Sequence, residues 1–308
     1  MRRAPVPLGS WMAALMLASF ASGAAACSQC LCGSPTPPDF LLGDQGRGAR
    51  FGLEDLYLSK RTGLEEGAGV ERQQEHRVAV TLAGGPLPWL ALQARAPFAF
   101  KTNVREPAGA GGTVRRSRGL GDAELQARVE LRRFGSPVRS RVSIGVVDAL
   151  GLPTGSNDVR DVSGQRLDAH LQPGTGAWST TAGLAADLAL PTTAFSASVL
   201  WRWNGVSGHG YHYGNALLAN LGCARGLGAA WQATLELNAR AAGRDRAENG
   251  GLDPDTGGSL LELAPGLRWA PGGAVAFDVL ARLPVAQALH GVQAEHASAR
   301  LGVTWARP

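Results

Sequence analysis

Apolar and polar residues alternate one by one through stretches far longer than an ordinary strand. From Gly119 to Phe134, Ala123, Leu125, Ala127, Val129 and Leu131 fall on one side, and Asp122, Glu124, Gln126, Arg128, Glu130 and Arg132 on the other. Leu227 to Ala241 sets Trp231, Ala233, Leu235, Leu237 and Ala239 against Gln232, Thr234, Glu236, Asn238 and Arg240. His296 to Trp305 does the same with Leu301, Val303 and Trp305 against His296, Ser298, Arg300 and Thr304. A period of two is the signature of a strand with unlike faces. Such a face needs an apolar partner. A soluble two-sheet sandwich supplies one with strands of roughly 5–6 residues, whereas the runs here match the ~9–11 residues of a tilted membrane-crossing strand.

Reading every such segment predicts about twelve strands, from Arg50–Lys60 to His296–Trp305, and their connections alternate in length. Gly84–Pro88, Gly135–Pro137, Pro191–Thr193, Arg225–Gly226 and Pro271–Gly273 are short. Arg61–Gln74, Lys101–Arg118, Pro153–Ala177, Asn204–Gly210, Ala242–Gly258 and Pro284–Glu295 are longer. Tight periplasmic turns opposite longer external loops are the pattern of an outer-membrane barrel. In hydrocarbon every backbone N–H and C=O needs a protein partner, and a sheet meets that demand only by closing on itself. The expected fold is therefore all-β: a transmembrane antiparallel up-and-down barrel of about twelve strands, with both termini in the periplasm and outer-membrane lipid against the apolar faces.

Aromatic residues support that orientation. Phe98, Phe100, Trp178, Trp201, Trp203, Tyr211 and Tyr213 fall at the expected external ends, and Phe134, Phe195, Trp231, Trp269, Phe277 and Trp305 toward the periplasmic ends. Rings with one apolar and one polar edge favour the two membrane–water boundaries. Phe134 breaks parity with its strand, and so does Asp148, where a bulge would restore the facing.

Composition agrees. Charged residues are 18%, Gly numbers 42 and mean hydropathy is −0.05, which excludes ordinary disorder. Beyond the N-terminus no run of ~20 apolar residues exists, which excludes a helical membrane protein. The N-terminus reads as an export signal: Arg2 and Arg3, the apolar stretch Trp11–Ala21, then Ala24-Ala25-Ala26 before Cys27. The expected organisation is a cleaved signal peptide (1–26), a Cys/Pro-rich periplasmic or luminal segment (27–49) and the barrel (50–308). Cleavage leaves 28 basic against 25 acidic residues, a net charge of +3, which favours no polyanionic partner.

Three stretches carry a resemblance: Gly119-Leu120-Gly121-Asp122 opening one long strand, Leu152-Pro153-Thr154-Gly155 closing the next, and Gly174-Thr175-Gly176-Ala177-Trp178 opening another. In this order and spacing they resemble the outer-membrane family named for the MetA pathway of phenol degradation, across roughly residues 115–305. The resemblance implies a transporter-like barrel, similar in style to long-chain fatty-acid channels, with no defined ligand. It also implies handling by the barrel assembly machinery through a terminal aromatic residue. Here Trp305 is followed by Ala306-Arg307-Pro308.

The polar faces would line the lumen: Glu124, Arg128, Glu130, Arg132, Arg139, Arg141, Arg202, Glu236, Arg240, Glu262, Asp278, Arg282 and Arg300. Mixed charge of this kind sets selectivity in a pore, so a small-molecule solute is the expected partner. Cys27, Cys30 and Cys32 fit either a disulfide that leaves Cys27 free or lipidated or a soft metal, the one cofactor the sequence offers. No His follows Cys30, so covalent haem attachment is excluded. In that second reading the barrel is a binding or structural one whose Cys cluster holds metal or docks a periplasmic partner. His209 with His212, and Asp253 with Asp255, read as loop residues rather than metal ligands. The motif Gly-x-Ser-x-Gly is absent, no enzyme is expected, and basic residues scattered over inward positions give nucleic acid no footprint.

Overall fold

The computed structural model describes residues 48–63, 69–107, 111–136, 139–272 and 274–307. Cys27, Cys30 and Cys32, the signal peptide and nearly all of the 27–49 segment lie outside them. No helix among the described residues is long and apolar enough to cross a membrane.

Strands β1 (Ala49–Gly63), β2 (Gly69–Leu87), β3 (Leu90–Pro107), β4 (Thr113–Leu120), β5 (Ala123–Ser136), β6 (Ser140–Leu152) and β7 (Ser179–Ala189) form the first half of one sheet. It continues through β8 (Thr193–Asn204), β9 (Ala216–Gly226), β10 (Trp231–Ala242), β11 (Gly258–Trp269), β12 (Val275–Leu289), β13 (Gln293–Glu295) and β14 (Ser298–Arg307). Every pairing is antiparallel, and β1 pairs with both β2 and β14, so the sheet closes. Two staves are interrupted once each. The lower part of β3 pairs with β5 and its upper part with β4, while β1 pairs with β14 and then β13. Fourteen segments thus make a closed barrel of twelve staves.

Three of the expected long loops are mostly strand. Pairing runs on to Gly63↔Val70 in the first hairpin, to Arg105↔Thr113 in the second, and β12 continues to Leu289. The first two extensions keep the alternation but carry polar residues on the outer face (Arg61, Arg72, Gln74, Thr102), so hydropathy alone reads them as loop. The coil segments at this far end of the barrel are 153–178, 205–215 and 243–257. The end carrying both described termini has short turns.

Facing follows register. In β5 an extra residue lies between Glu130 and Arg132, because Glu130 pairs with Gly145 and Arg132 with Ile144. One inserted residue reverses every later side chain. Arg132 is therefore exposed beside outward Ile144 and does not line the lumen, and Phe134 joins the outward row where a girdle needs it. Asp148 has no bulge: it pairs in register with Ala127 and Ala182 and faces outward, level with Trp201 across Ala182. Arg139 also leaves the expected lining, since it sits exposed in the turn before β6, its N–H bonded to Ser136 O.

The outer surface carries two aromatic rows. Phe100, Trp178, Trp201 and Trp203 are exposed toward the far end, and Phe51, Trp89, Phe134, Phe195, Trp231, Trp269, Phe277 and Trp305 toward the terminal end. Trp231, Trp269 and Phe277 stack on neighbouring strands, with centroids 5.9 and 5.5 Å apart. Phe195 and Trp203 are eight residues apart on β8. At ~3.3 Å per residue and a tilt near 40°, that spacing spans about 20 Å, close to the ~25 Å apolar band of such barrels. Tyr211 and Tyr213 do not belong to the girdle, because both are buried inside the far mouth.

Candidate functional site: the lumen and the loops across its mouth

The longest loop, 153–178, is pinned at its base where the wall breaks between β4 and β5. Asp122 Oδ1 accepts Gly155 N at 2.9 Å, and Oδ2 accepts Thr175 N at 2.7 Å together with the Thr175 hydroxyl. Thr154 Oγ1 accepts Ala123 N at 2.9 Å. The two stems touch: a Cβ on Gly155 would lie 2.6 Å from Gly174 Cα, so only glycine fits. Gly176 has φ +67, the left-handed region that glycine enters at little cost. The three stretches singled out in the sequence therefore meet at one point.

From that base the loop folds across the lumen. Its tip is a single 3-10 turn, Ala169–Leu171. Backbone carbonyls of the tip are held from the wall. Lys101 Nζ donates to His170 O at 3.2 Å and Gln172 O at 2.7 Å, Gln73 Nε2 to His170 O at 3.3 Å, and the Ser117 hydroxyl to Leu171 O. The Gln172 side chain closes the loop on itself, bonding Leu167 O at 2.7 Å, Val159 O at 3.1 Å and Val159 N at 2.8 Å.

The imidazole of His170 gathers the other two loops. Its Nε2 lies 2.8 Å from the Tyr211 hydroxyl, 3.4 Å from Asp253 Oδ2 and 3.8 Å from Asp245 Oδ2. The Tyr211 hydroxyl donates its one proton to Asp245 at 2.9 Å, so in the contact between them His170 Nε2–H is the donor and the hydroxyl the acceptor. Asp245 is fully buried and also accepts Gly214 N at 2.8 Å. The hydrogen bond from His170 holds the Asp253 carboxyl below the usual carboxylate range, against the desolvation that pushes it up. The 205–215 and 243–257 loops are tied directly as well, through paired backbone bonds between His212 and Arg246 at 3.0 and 2.8 Å. His209 is exposed, His212 bonds Asn204 O at 2.8 Å, and Asp255 accepts Val292 N at 3.0 Å. Among the described residues no group of three or more His, Cys, Asp or Glu has the geometry to hold a metal ion.

Under these loops the wall is apolar. Ala169, Tyr211 and Tyr213 pack against inward Val147, Ala185, Leu200, Ala216, Leu218 and Ala242. Around and below that patch the lumen wall is charged and mostly paired. Arg128 reaches past β6 to Asp187 on β7, with Ser143 bonding the same carboxylate at 3.1 Å. Arg282 pairs with Glu262, Arg240 with Glu295, and Arg95 with Glu54. Arg300 lies 3.6 Å from Asp278, and Glu75 meets Arg77 at 2.5 Å and Lys101 at 3.8 Å. Glu130 bonds Arg133. Arg202 donates to Ser179 Oγ at 3.0 Å, and Glu124, Arg141 and Glu236 take inward positions by register. Both amide atoms of Gln126, one oxygen each of Glu236 and Asn238, and the Ser298 hydroxyl are buried without a protein partner. Buried polar atoms of this kind take their hydrogen bonds from water, so the middle of the lumen is wet. Toward the terminal end a cavity of about 90 Å³ is lined by Arg50, Glu54, Gln93, Arg268, Asp278 and Arg300, among others.

Sequence reasoning did not name the inward Glu54, Glu75, Arg77, Arg95, Lys101, Asp187 and Glu295. It also missed the knot of His170, Tyr211, Asp245 and Asp253, whose members are scattered across three loops. The inward position of Asp187, on the face opposite Leu184 and Leu188, was a readable signal.

No family model matches the chain, and no curated protein matches it. Solved structures do. One is an outer-membrane channel from Pseudomonas putida F1, 12% identical, covering 88% of this chain and all of that one, with a TM-score of 0.66. Another is the transport unit of the autotransporter AIDA-I from Escherichia coli, 10% identical, covering 96% of this chain and 97% of that one, with a TM-score of 0.50. At these identities the likeness shows the fold: this chain is a closed twelve-stranded antiparallel barrel of the outer-membrane kind.

Proposed function

We propose that the protein is an outer-membrane channel for small, largely uncharged solutes, hydrophobic or aromatic ones foremost. One observation carries the reading. The wall beneath the far mouth is apolar, Val147, Ala185, Leu200 and Leu218, whereas the rest of the lumen is wet and most of its charges are paired. A mostly paired lining presents little net field to an ion, and the apolar wall, covered by Ala169, Tyr211 and Tyr213, meets a hydrophobic solute when the loops part. The fold shared with the Pseudomonas putida channel supports the reading. So does the convergence of the three motif stretches on one anchor, which favours membership in the family that they resemble. On this reading residues 1–26 direct export, the barrel assembly machinery inserts the chain, the terminal end faces the periplasm and the loops face outward. The chain acts as a conduit rather than an enzyme.

Uptake tests this. Cells that express the chain take up a labelled monoaromatic compound faster than vector controls, while a charged solute of equal size shows a smaller gain. Equal uptake of the aromatic compound with and without the protein contradicts the proposal.

A further inference from the structure

Beyond the lumen, the outer face of the β1–β4 sector holds a feature that conduction does not use. Register places its side chains in rows. One row is Asp55, Val78, Phe98 and Leu120, and the next toward the far end is Tyr57, His76, Phe100 and Arg118. Above it come Ser59, Gln74, Thr102 and Arg116, and then Arg61, Arg72, Val104 and Val114. Arg118 thus stands level with the aromatic girdle, and Arg116, Arg61 and Arg72 stand one or two rows above it. All four are exposed. Among the described residues Arg61, Arg116 and Arg118 have no acidic partner, while Arg72 lies 3.7 Å from exposed Glu106. Among the described residues, the outward acids beside the patch are engaged, Glu106 there and Asp55 with His76 at 3.1 Å. Elsewhere on the outer wall Leu150, Trp201 and Leu217 are exposed and apolar, and the charged outward residue beside them, Asp148, is acidic. Among the described strand residues of the far half, the outward arginines fall in this one sector.

We infer that this sector binds the phosphorylated headgroup of a glycolipid in the outer leaflet. Its acyl chains lie along the apolar band below, and its phosphates sit between Arg118, Arg116 and the Arg61–Arg72 pair. A guanidinium matches a phosphate with two parallel N–H···O bonds, and basic side chains just beyond an apolar band meet anionic lipid at headgroup depth. A free phosphate ion would gain nothing from the girdle, whereas a lipid is held by both. The inference rests on the membrane-spanning reading and is independent of what the lumen conducts.

Native mass spectrometry of the folded full-length protein in neutral detergent, titrated with bis-phosphorylated lipid A, tests it. Wild type retains lipid A, and Arg116→Gln with Arg118→Gln weakens retention about tenfold or more. Arg61→Gln with Arg72→Gln weakens it less, and Arg139→Gln at the opposite end leaves it unchanged. Dephosphorylated lipid A is not retained, and equimolar inorganic phosphate does not displace the lipid. Equal retention by the Arg116/Arg118 variant, equal retention of dephosphorylated lipid, or displacement by equimolar phosphate overturns the inference. Heat-modifiable gel migration verifies folding of each variant. If the Arg116/Arg118 variant fails to fold, Arg118→Gln alone and the Arg61/Arg72 variant decide the matter. Insertion of wild type into neutral vesicles checks the membrane reading separately.

Discussion

Asp122 and Thr175, 53 residues apart, meet where the wall is interrupted, the Thr175 N–H donating to Asp122 Oδ2 at 2.7 Å. The same carboxylate holds Gly155 on the opposite stem, so a single side chain fixes both ends of the loop that crosses the lumen. Hydrogen bonds to a charged acceptor contribute ~1.5–3 kcal/mol each. Asp122→Ala is expected to loosen the loop by about 2–3 kcal/mol while the barrel stays folded. Limited proteolysis reads the first effect, with faster cleavage within 153–178, and heat-modifiable gel migration reads the second. Gly155→Ala is expected to match it, because the new Cβ meets backbone at 2.6 Å.

The tip is held differently. His170→Ala removes the group shared by Tyr211, Asp253 and Asp245 but leaves the base intact. Loss of one such contact costs ~1–2 kcal/mol, so amide exchange across 167–173 should quicken by roughly tenfold, on the scale of 1.4 kcal/mol per decade. Exchange in β7 and β8 should not change. A uniform increase over the whole chain would mean global destabilisation instead.

Acid should reach this knot late. The Asp253 carboxyl is held below its usual range by His170. Its contribution is therefore complete above the unfolded value near 3.9 and is lost only as pH falls through the lower folded value. Loop protection against protease should hold from pH 7 down to about pH 4 as far as Asp253 is concerned, and fail below that. Asp253→Asn should abolish this acid limb and show weaker protection at pH 7.

Inside the wall, Arg128 and Asp187 form a buried pair, with side chains 1% and 5% exposed. Arg128→Ala leaves a carboxylate without its counter-charge, which costs ~3–5 kcal/mol, whereas replacing both with apolar residues is close to neutral. Urea unfolding of Arg128→Ala, Asp187→Leu and the Arg128→Met/Asp187→Leu double variant distinguishes the two cases. The double variant should be more stable than Arg128→Ala.

How much of this is legible in the sequence depends on how local the signal is. Alternation in β5, β10 and β14 reports strand, face and closure together, because lipid demands one apolar face along the whole run. The loop anchor is legible as well, since Gly121-Asp122, Thr154-Gly155 and Gly174-Thr175-Gly176 are each turn chemistry with unusual glycine density. The facing of Arg132 is not, because one extra residue after Glu130 leaves no mark on composition and yet reverses all that follows. Leu200 is hidden between Ser198 and Arg202, so an apolar patch one residue deep per strand vanishes into faces read as polar. Tyr211 and Tyr213 look like girdle residues because aromatics at a strand end have that appearance until the loop over them is seen. His170, Tyr211, Asp245 and Asp253 sit on three separate loops, and only the closed barrel brings those loops together.

Single-channel recording in planar bilayers tests the central claim, a wet lumen closed at its far mouth by loop 153–178. The full-length protein should show a small, intermittent conductance, and a variant in which residues 157–172 are replaced by a short glycine linker should show a large, steady one. Identical conductance from the two, or none from either, would contradict the account.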